Sequence, residues 1–335
     1  METLIVKKGE ELHEIPTEII GNQQTLQTIN LSNNYLLEFS NLQLPNLNVL
    51  LLQNNLLSEL SEDQIKNMIN IKKLDLSINK LTTIQSFHYF TSLTRIDLSR
   101  NKLISISPLC SIQSLESLSL SVNLLSEIPI EISQLKRLTT FEIDHNQLKT
   151  FPIHICECPI ERIDISGNEI ECFPIEITKL TTVKEMFVRN NQLSLLPKEL
   201  SELTALTLFD CDHNPIQQID WKESNSIHEL LLGNVQLQSV SFISFPSLKK
   251  LIIRGNQLNE IDLHLNLIQQ IQRNENSQLD TENTIETDDQ NNENETVEIQ
   301  IEDCQLQQIK SIGKCHFISF QNNKLTTLPS FPKTM

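Results

Sequence analysis

The sequence predicts an α/β solenoid, a horseshoe with a parallel β-sheet on its concave face and short 3₁₀ or helical turns on its convex face. Three observations lead there. One pattern, L-x-x-L-x-L-x-x-N-x-L-x-x-L, recurs along nearly the whole chain. Between Asn34 and Asn256 its copies follow one another every 21 to 24 residues. The composition suits many small aliphatic cores: hydrophobic residues make up 39% of the 335 residues and aromatics only 5%.

The repeat places its asparagine at Asn34, Asn55, Asn79, Asn101, Asn123, Asn146, Asn168, Asn191, Asn214, Asn256 and Asn323, with Val235 and Cys304 standing in twice. "LTRIDLSRNKLISI" (93–106) and "LESLSLSVNLLSEIP" (115–129) are clear copies. Residues two apart in a strand, such as Ile96 and Leu98, point to one side, so Asp97 between them faces the other. Asn101 then ends the strand where the chain turns inward, and its amide can satisfy backbone groups that water does not reach. Leu103 and Ile106 extend the same apolar wall. A single coil offers too few aliphatic side chains to offset the entropy of ordering it, so coils must stack.

Several units add a proline, a carboxylate and an aliphatic residue, as in "IPIEI" (128–132), "FPIEI" (173–177) and "LPKEL" (196–200). Proline is preorganised for a first helical position, which predicts short turns on the outer face. Apolar residues nine and twelve places after the asparagine, such as Ile177 and Leu180 after Asn168, are expected to roof the core.

This array resembles the leucine-rich repeat superfamily, and the "LPxxI" habit resembles its intracellular signalling-scaffold subclass. The resemblance implies a non-enzymatic protein-binding scaffold in signalling, with small GTPases or phosphatase catalytic subunits as candidate partners. It also leaves open a regulatory arm or shortened relative of a kinase, cyclase or phosphatase regulator.

Residues 1–25 read as a degenerate first repeat or cap, and 26–271 as about eleven units. The stretch "LKKLIIRGNQLNEIDLHLNLIQQI" (248–271) fits the template in two registers, through Asn256 or through Asn266. Only Asn256 is in phase, so the second match is read as the outer segment of that coil, with Leu265 and Ile268 roofing it and the regular array ending at Ile271. Residues 272–296, rich in asparagine and glutamate, then form a disordered acidic insertion, because so few apolar residues cannot support a packed structure. Ser277 and Thr287 beside carboxylates make a regulated tail the alternative. Two further repeats occupy 297–335, with Phe331 and two prolines as a minimal cap.

The net charge is −17, and nine acids against one base between Gln272 and Glu298 supply about half of it. Such a balance argues against nucleic acid or an anionic membrane surface as the partner. No uncharged apolar run nears the roughly 18 residues that a bilayer span needs, and the N-terminal stretch is too acidic for a secretory signal. Seven scattered cysteines, with Cys211 and Cys315 on aliphatic positions, predict buried reduced thiols and a cytoplasmic setting.

The chain carries no phosphate-binding glycine loop and no nucleophile motif. "DHN" at 144–146 and its near copy at 212–214 lie three coils apart, roughly 14 Å, too far for one metal. Cys156, Cys158 and Cys172 lack a fourth ligand at zinc-site spacing. Neither catalytic residues nor a cofactor or metal site is expected.

Binding is expected on the open sheet face, whose central row reads Asn30, Leu51, Asp75, Asp97, Ser119, Glu142, Asp164, Phe187, Asp210, Leu231, Ile252, Gln300 and Ser319. Asp75, Asp97, Glu142 and Asp164 form an acidic belt, extended by Asp144, Asp210 and Asp212, that would suit a basic partner. Lys73, Arg95 and Arg162 beside it would neutralise part of it. Phe187, Leu208, Leu231 and Ile252 form an exposed apolar cluster with Arg189 and Arg254, a composition typical of interface hot spots.

Overall fold

The computed structural model describes residues 3–221, 223–242, 245–258, 260–263, 298–312 and 317–325. The insertion at 272–296, its boundary at Ile271, the roofing residues Leu265 and Ile268, Ser277, Thr287, Cys315 and the Phe331 cap lie outside them. The chain divides into two compact units, Met1–Ile170 and Glu171–Met335.

In the first unit eight short strands lie parallel in chain order. They are Thr3–Val6, Leu26–Asn30, Val49–Leu51, Lys73–Asp75, Arg95–Asp97, Ser117–Ser119, Thr140–Glu142 and Arg162–Asp164. In the six three-residue strands the middle residue, such as Leu74, Ile96 or Ile163, is buried, and the residues flanking it reach the open face. The N-terminal segment is thus a true coil with its own strand and a helical turn at Thr17–Gly21.

The asparagines explain how coils lock together. Asn79 Nδ2 donates to the Leu76 carbonyl of its own coil and to the Leu52 carbonyl of the coil before, each at 3.0 Å. Its Oδ1 accepts from the backbone N–H of Leu57 at 3.0 Å. The same pattern repeats at Asn55, Asn101, Asn123, Asn146 and Asn168. These amides are buried and satisfy carbonyls that a closed coil could not otherwise pair. The residue before each ladder position is left-handed. At Gly255, where φ is 66°, an added Cβ would meet Asn234 Oδ1 at 2.2 Å, so any side chain there would have to displace that amide.

The second unit pairs six parallel strands: Glu185–Phe187, Leu208–Asp210, Glu229–Leu231, Lys250–Ile252, Glu298–Gln300 and Phe317–Ser319. Here the ladder is incomplete. Cys304 replaces the amide with a thiol, 3.0 Å from the Ile253 and Glu302 carbonyls. Val235 donates nothing, and Asn256 Oδ1 on the next coil is buried without a hydrogen-bond partner. A run of rings passes through this core, Phe173, Phe209, Trp221 and Phe245, with successive centroids 6.3, 5.3 and 5.6 Å apart; the first unit has a Phe87–Phe90 pair at 5.4 Å.

The outer segments follow the expected roof in part. Ile132, Leu135, Ile155, Cys158, Ile177, Leu180, Leu200 and Leu203 are all buried at the nine- and twelve-residue positions. The prolines sit differently from expectation. Pro129, Pro152, Pro174 and Pro197 precede 3₁₀ turns as caps rather than opening them. Their carbonyls accept from the N–H three residues on, at 2.9 to 3.3 Å, so proline fixes the entry angle while its missing N–H costs nothing. Later outer segments add strands: Leu195–Leu196, ahead of the turn at Lys198–Glu202, pairs with Gln218–Ile219, and Ser239–Phe242, Glu260–Leu263 and Gln308–Ile312 form a three-stranded sheet. Their alternating, β-branched sequences ("SVSF", "EIDL", "QIKSI") favour extended backbone.

Candidate protein-binding face

Strand register decides which side chains meet on the open face. In the first unit Asn30, Leu51, Asp75, Asp97, Ser119, Glu142 and Asp164 are aligned partners on successive strands, all half-buried. The four carboxylates of the belt therefore do share one row.

Three of them also hold the backbone. Asp75 Oδ1 accepts from the Ser77 N–H at 3.0 Å and its hydroxyl at 2.7 Å. Asp97 and Asp164 accept from the Ser99 and Ser166 N–H groups at 2.9 and 3.0 Å. Each carboxylate thus closes the turn that leaves its strand, a local bond that "D-x-S" makes anywhere. Burial pushes the Asp75 carboxyl above the usual range, against the Ser77 hydrogen bonds, with Asp97 adding to the rise. Asp164 is raised for the same reason, with Asp144 adding to it. Glu142 lies 3.5 Å from Arg162 Nε, so part of the belt is neutralised within its own sheet.

In the second unit Phe187, Asp210, Leu231, Ile252, Gln300 and Ser319 are aligned. Phe187 and Leu231 are half-exposed, as expected of a contact surface. Ile252 is not: it is 7% exposed and belongs to the core side of the balance. Leu208 sits two places before Asp210, as the sequence places it, in the neighbouring row between Glu185 and Glu229. Between Phe187 and Leu231 stands Asp210.

Asp210 and Asp212 also depart from expectation, because neither extends an exposed belt. Asp210 is fully buried, and the Arg189 guanidinium grips its Oδ2 through Nε and a terminal nitrogen. Asp212 is 6% exposed and accepts from the Gly233 N–H at 2.7 Å. A Cβ on Gly233 would come within 2.9 Å of that carboxylate, so the glycine makes room for it. Burial raises the Asp212 carboxyl despite this hydrogen bond, and Asp210 adds to the rise. Arg189 is thus partly committed to the fold, whereas Arg254 is exposed at the aligned edge. Glu185 and Glu229, beside Leu208, were identifiable from the sequence only by fixing strand register coil by coil.

Among the described residues no group of three or more His, Cys, Asp and Glu could hold a metal ion. Burial pushes the Cys110 thiol up to about 12 and Cys158 to about 11, and Cys211 is raised well above its usual value. Such thiols are protonated and inert at neutral pH. Asp144 and His145 do touch, with Nδ1 2.9 Å from Oδ2, but Asp144 also takes the Ser121 hydroxyl and Asn146 belongs to the ladder. A hollow of ≈ 300 Å³ beside the first helical turn is lined by Ile20, Gly21, Asn22, Gln23, Gln24, Thr25 and Gln43, none of them ionisable. Among the described residues no helix is long and apolar enough to cross a membrane.

Similarity to known proteins agrees with this architecture. The model of the leucine rich repeat family matches residues 45–103. No curated protein matches the chain by sequence. Solved structures do. Internalin InlF of Listeria monocytogenes is 19% identical with a TM-score of 0.64, over 77% of this chain and 82% of that one. A leucine-rich-repeat protein of Leptospira interrogans is 24% identical with a TM-score of 0.55, over 79% of each chain. The ectodomain of the Arabidopsis receptor kinase HAESA, solved with its IDA peptide hormone ligand, is 26% identical with a TM-score of 0.59. That match covers 70% of this chain and 43% of the receptor's. The fold is that of a leucine-rich-repeat solenoid.

Proposed function

We propose that this chain is a non-enzymatic interaction module, a cytoplasmic scaffold in signalling of the "LPxxI" kind, which holds another protein on the open sheet face of its second unit. One observation carries the reading: Phe187 and Leu231, an aromatic and an aliphatic side chain, stand half-exposed in one aligned row where a solenoid surface gains nothing from apolar groups. Two strand spacings separate them, roughly 10 Å. The carboxylate between them is buried and held by Arg189, so the row presents apolar surface edged by guanidinium groups. That composition suits a partner with an apolar patch and carboxylates, and a preformed sheet reduces the ordering cost of binding it. The HAESA ectodomain, of similar fold, is a precedent for holding a peptide. A small GTPase or a phosphatase catalytic subunit remains the partner to try first.

Affinity capture from the native cell, read by mass spectrometry, tests this. Phe187→Ala with Leu231→Asp is expected to abolish capture of the principal partner while the melting temperature stays near wild type. Phe187→Ala with Leu231→Gln repeats the test without a new charge beside Asp210. Undiminished capture by a folded double variant would count against the face.

A further inference from the structure

The left-handed residue before each ladder position sets a rule that three coils break. At thirteen described coils this residue has a positive φ, from 50° at Asn190 to 66° at Gly255. There the Cβ of an ordinary side chain crowds its own backbone, and Gly, Asn, Asp and His are the residues that tolerate it. Ten of the thirteen positions carry one of those four. The other three are Ile78, Arg100 and Val122, at φ 54°, 55° and 57°, and they fall on consecutive coils. Two of them are β-branched, the worst fit for this backbone.

Burial does not compensate them. Ile78 is 46% exposed and Val122 38%. Arg100 is exposed, and its guanidinium has no ion pair among the described residues. The backbone N–H of Ile78 donates to Ser99 and that of Arg100 to Ser121, each at 2.8 Å, which keeps the three residues in one row. Neighbours in such a row stand about 4.8 Å apart.

A second row lies just past the ladder and has the same character. It consists of Lys80, Lys102 and Leu124, with Leu124 44% exposed and both lysines exposed without an ion pair among the described residues. Ile104, at 67%, stands beside it on the middle coil. Four exposed aliphatic side chains and three cations thus share one edge of the first unit, in a chain whose net charge is −17. Single exposed aliphatics need no explanation. Three strained positions in succession, all on the surface, do, because such strain persists where something other than folding is served.

We propose that this edge is a second docking surface, distinct from the open sheet face, and that it takes an acidic amphipathic segment of another protein. Aliphatic side chains of that segment would cover Ile78, Val122, Leu124 and Ile104. Its carboxylates would meet Lys80, Arg100 and Lys102, where a guanidinium can engage a carboxylate through two parallel hydrogen bonds. The nearby carboxylates of Asp75, Asp97 and Asp144 are engaged by Ser77, Ser99 and Ser121, and charges farther than about 8 Å are screened at physiological salt.

The test uses the full chain and a displayed random-peptide library. Enriched sequences are expected to combine aliphatic residues with Asp or Glu. The most enriched peptide, synthesised and followed by fluorescence anisotropy, is expected to bind the Ile78→Asn, Val122→Asn double variant at least about tenfold more weakly. Asparagine suits the left-handed backbone, so the same variant is expected to melt about 2 °C higher or more. Arg100→Glu should weaken binding as well. The proposal is overturned if no peptide is enriched, if the enriched peptides are basic, or if the double variant binds equally well. It is also overturned if that variant melts no higher than wild type. Wild-type self-association in sedimentation that the double variant loses would make a second copy the occupant and overturn it too.

Discussion

The first unit carries its ladder asparagine on every coil from Asn34 to Asn168, while the second replaces it with Val235 and Cys304. In the first, each amide spans two coils and is itself spanned by the next. In the second, the chain of amides is interrupted and Asn256 keeps an unpartnered oxygen, while buried aromatic rings, Trp221 among them, fill the core. Both units bury aromatic rings, so the difference between them is the continuity of the ladder. The ladder is a local device, dispensable one coil at a time where neighbouring packing makes up the loss.

Removing a ladder amide should break or sharpen that contrast most strongly. Asn101→Ala loses the bonds to Leu76 and Leu98 and strands the Leu81 N–H, a loss of about 3 kcal/mol. Asn256→Ala removes a donor to Leu232 but also an orphaned acceptor, so about half that loss is expected. Urea denaturation followed by circular dichroism gives both values, and equal losses would end the distinction between the units.

A smaller effect is expected at the ion pair of the second unit. Arg189→Ala leaves the buried Asp210 carboxylate without its cation, at a cost of about 2 kcal/mol given that the arginine itself is half-exposed. Adding Asp210→Asn should recover most of that loss, and the single Trp221 offers a fluorescence readout within the same unit. A double variant no better than Arg189→Ala would mean that the arginine acts by packing alone.

The smallest effect concerns pH. Asp75 and Asp164 in the first unit and Asp212 in the second all have carboxyls raised by burial. A raised value means that the folded state holds the proton more tightly than the unfolded chain. Their contribution to stability is therefore present at low pH and is lost as pH rises from the usual carboxylate range, about 4, through the elevated values. Asp164→Asn should flatten that decline as pH rises above the usual carboxylate range, read in urea midpoints. An unchanged slope would place the titration elsewhere.

The repeat, the buried positions and the roof were legible because each rests on side-chain direction, which spacing alone fixes. Ile252 and Asp210 were not, since position in a row says where Cβ points but not whether an arginine two residues along the neighbouring strand reaches across it. In the sequence Leu208 reads two places before Asp210, and register sets it there, in the next row between Glu185 and Glu229. The outer strands near Glu260–Leu263 are where aliphatics recurring every second residue gave the doubled match, so the false register marked a real extended segment. The acidic belt shows the opposite limit. Its aspartates are visible in the sequence, yet only the bonds from Asp75 and Asp97 to the following serines show that those residues also serve the turn.

One consequence of the amide ladder concerns length itself. Asn146 reaches back to the Leu120 carbonyl, and excising residues 102–123 would present the Leu98 carbonyl in its place, with Leu125 still donating to Asn146 Oδ1. No coil in that stretch is a keystone. Length is thus a free variable of the design, adjustable by one coil at a time, and a lineage could lengthen or shorten the open sheet face by copying or dropping a paragraph of sequence without rewriting the rest.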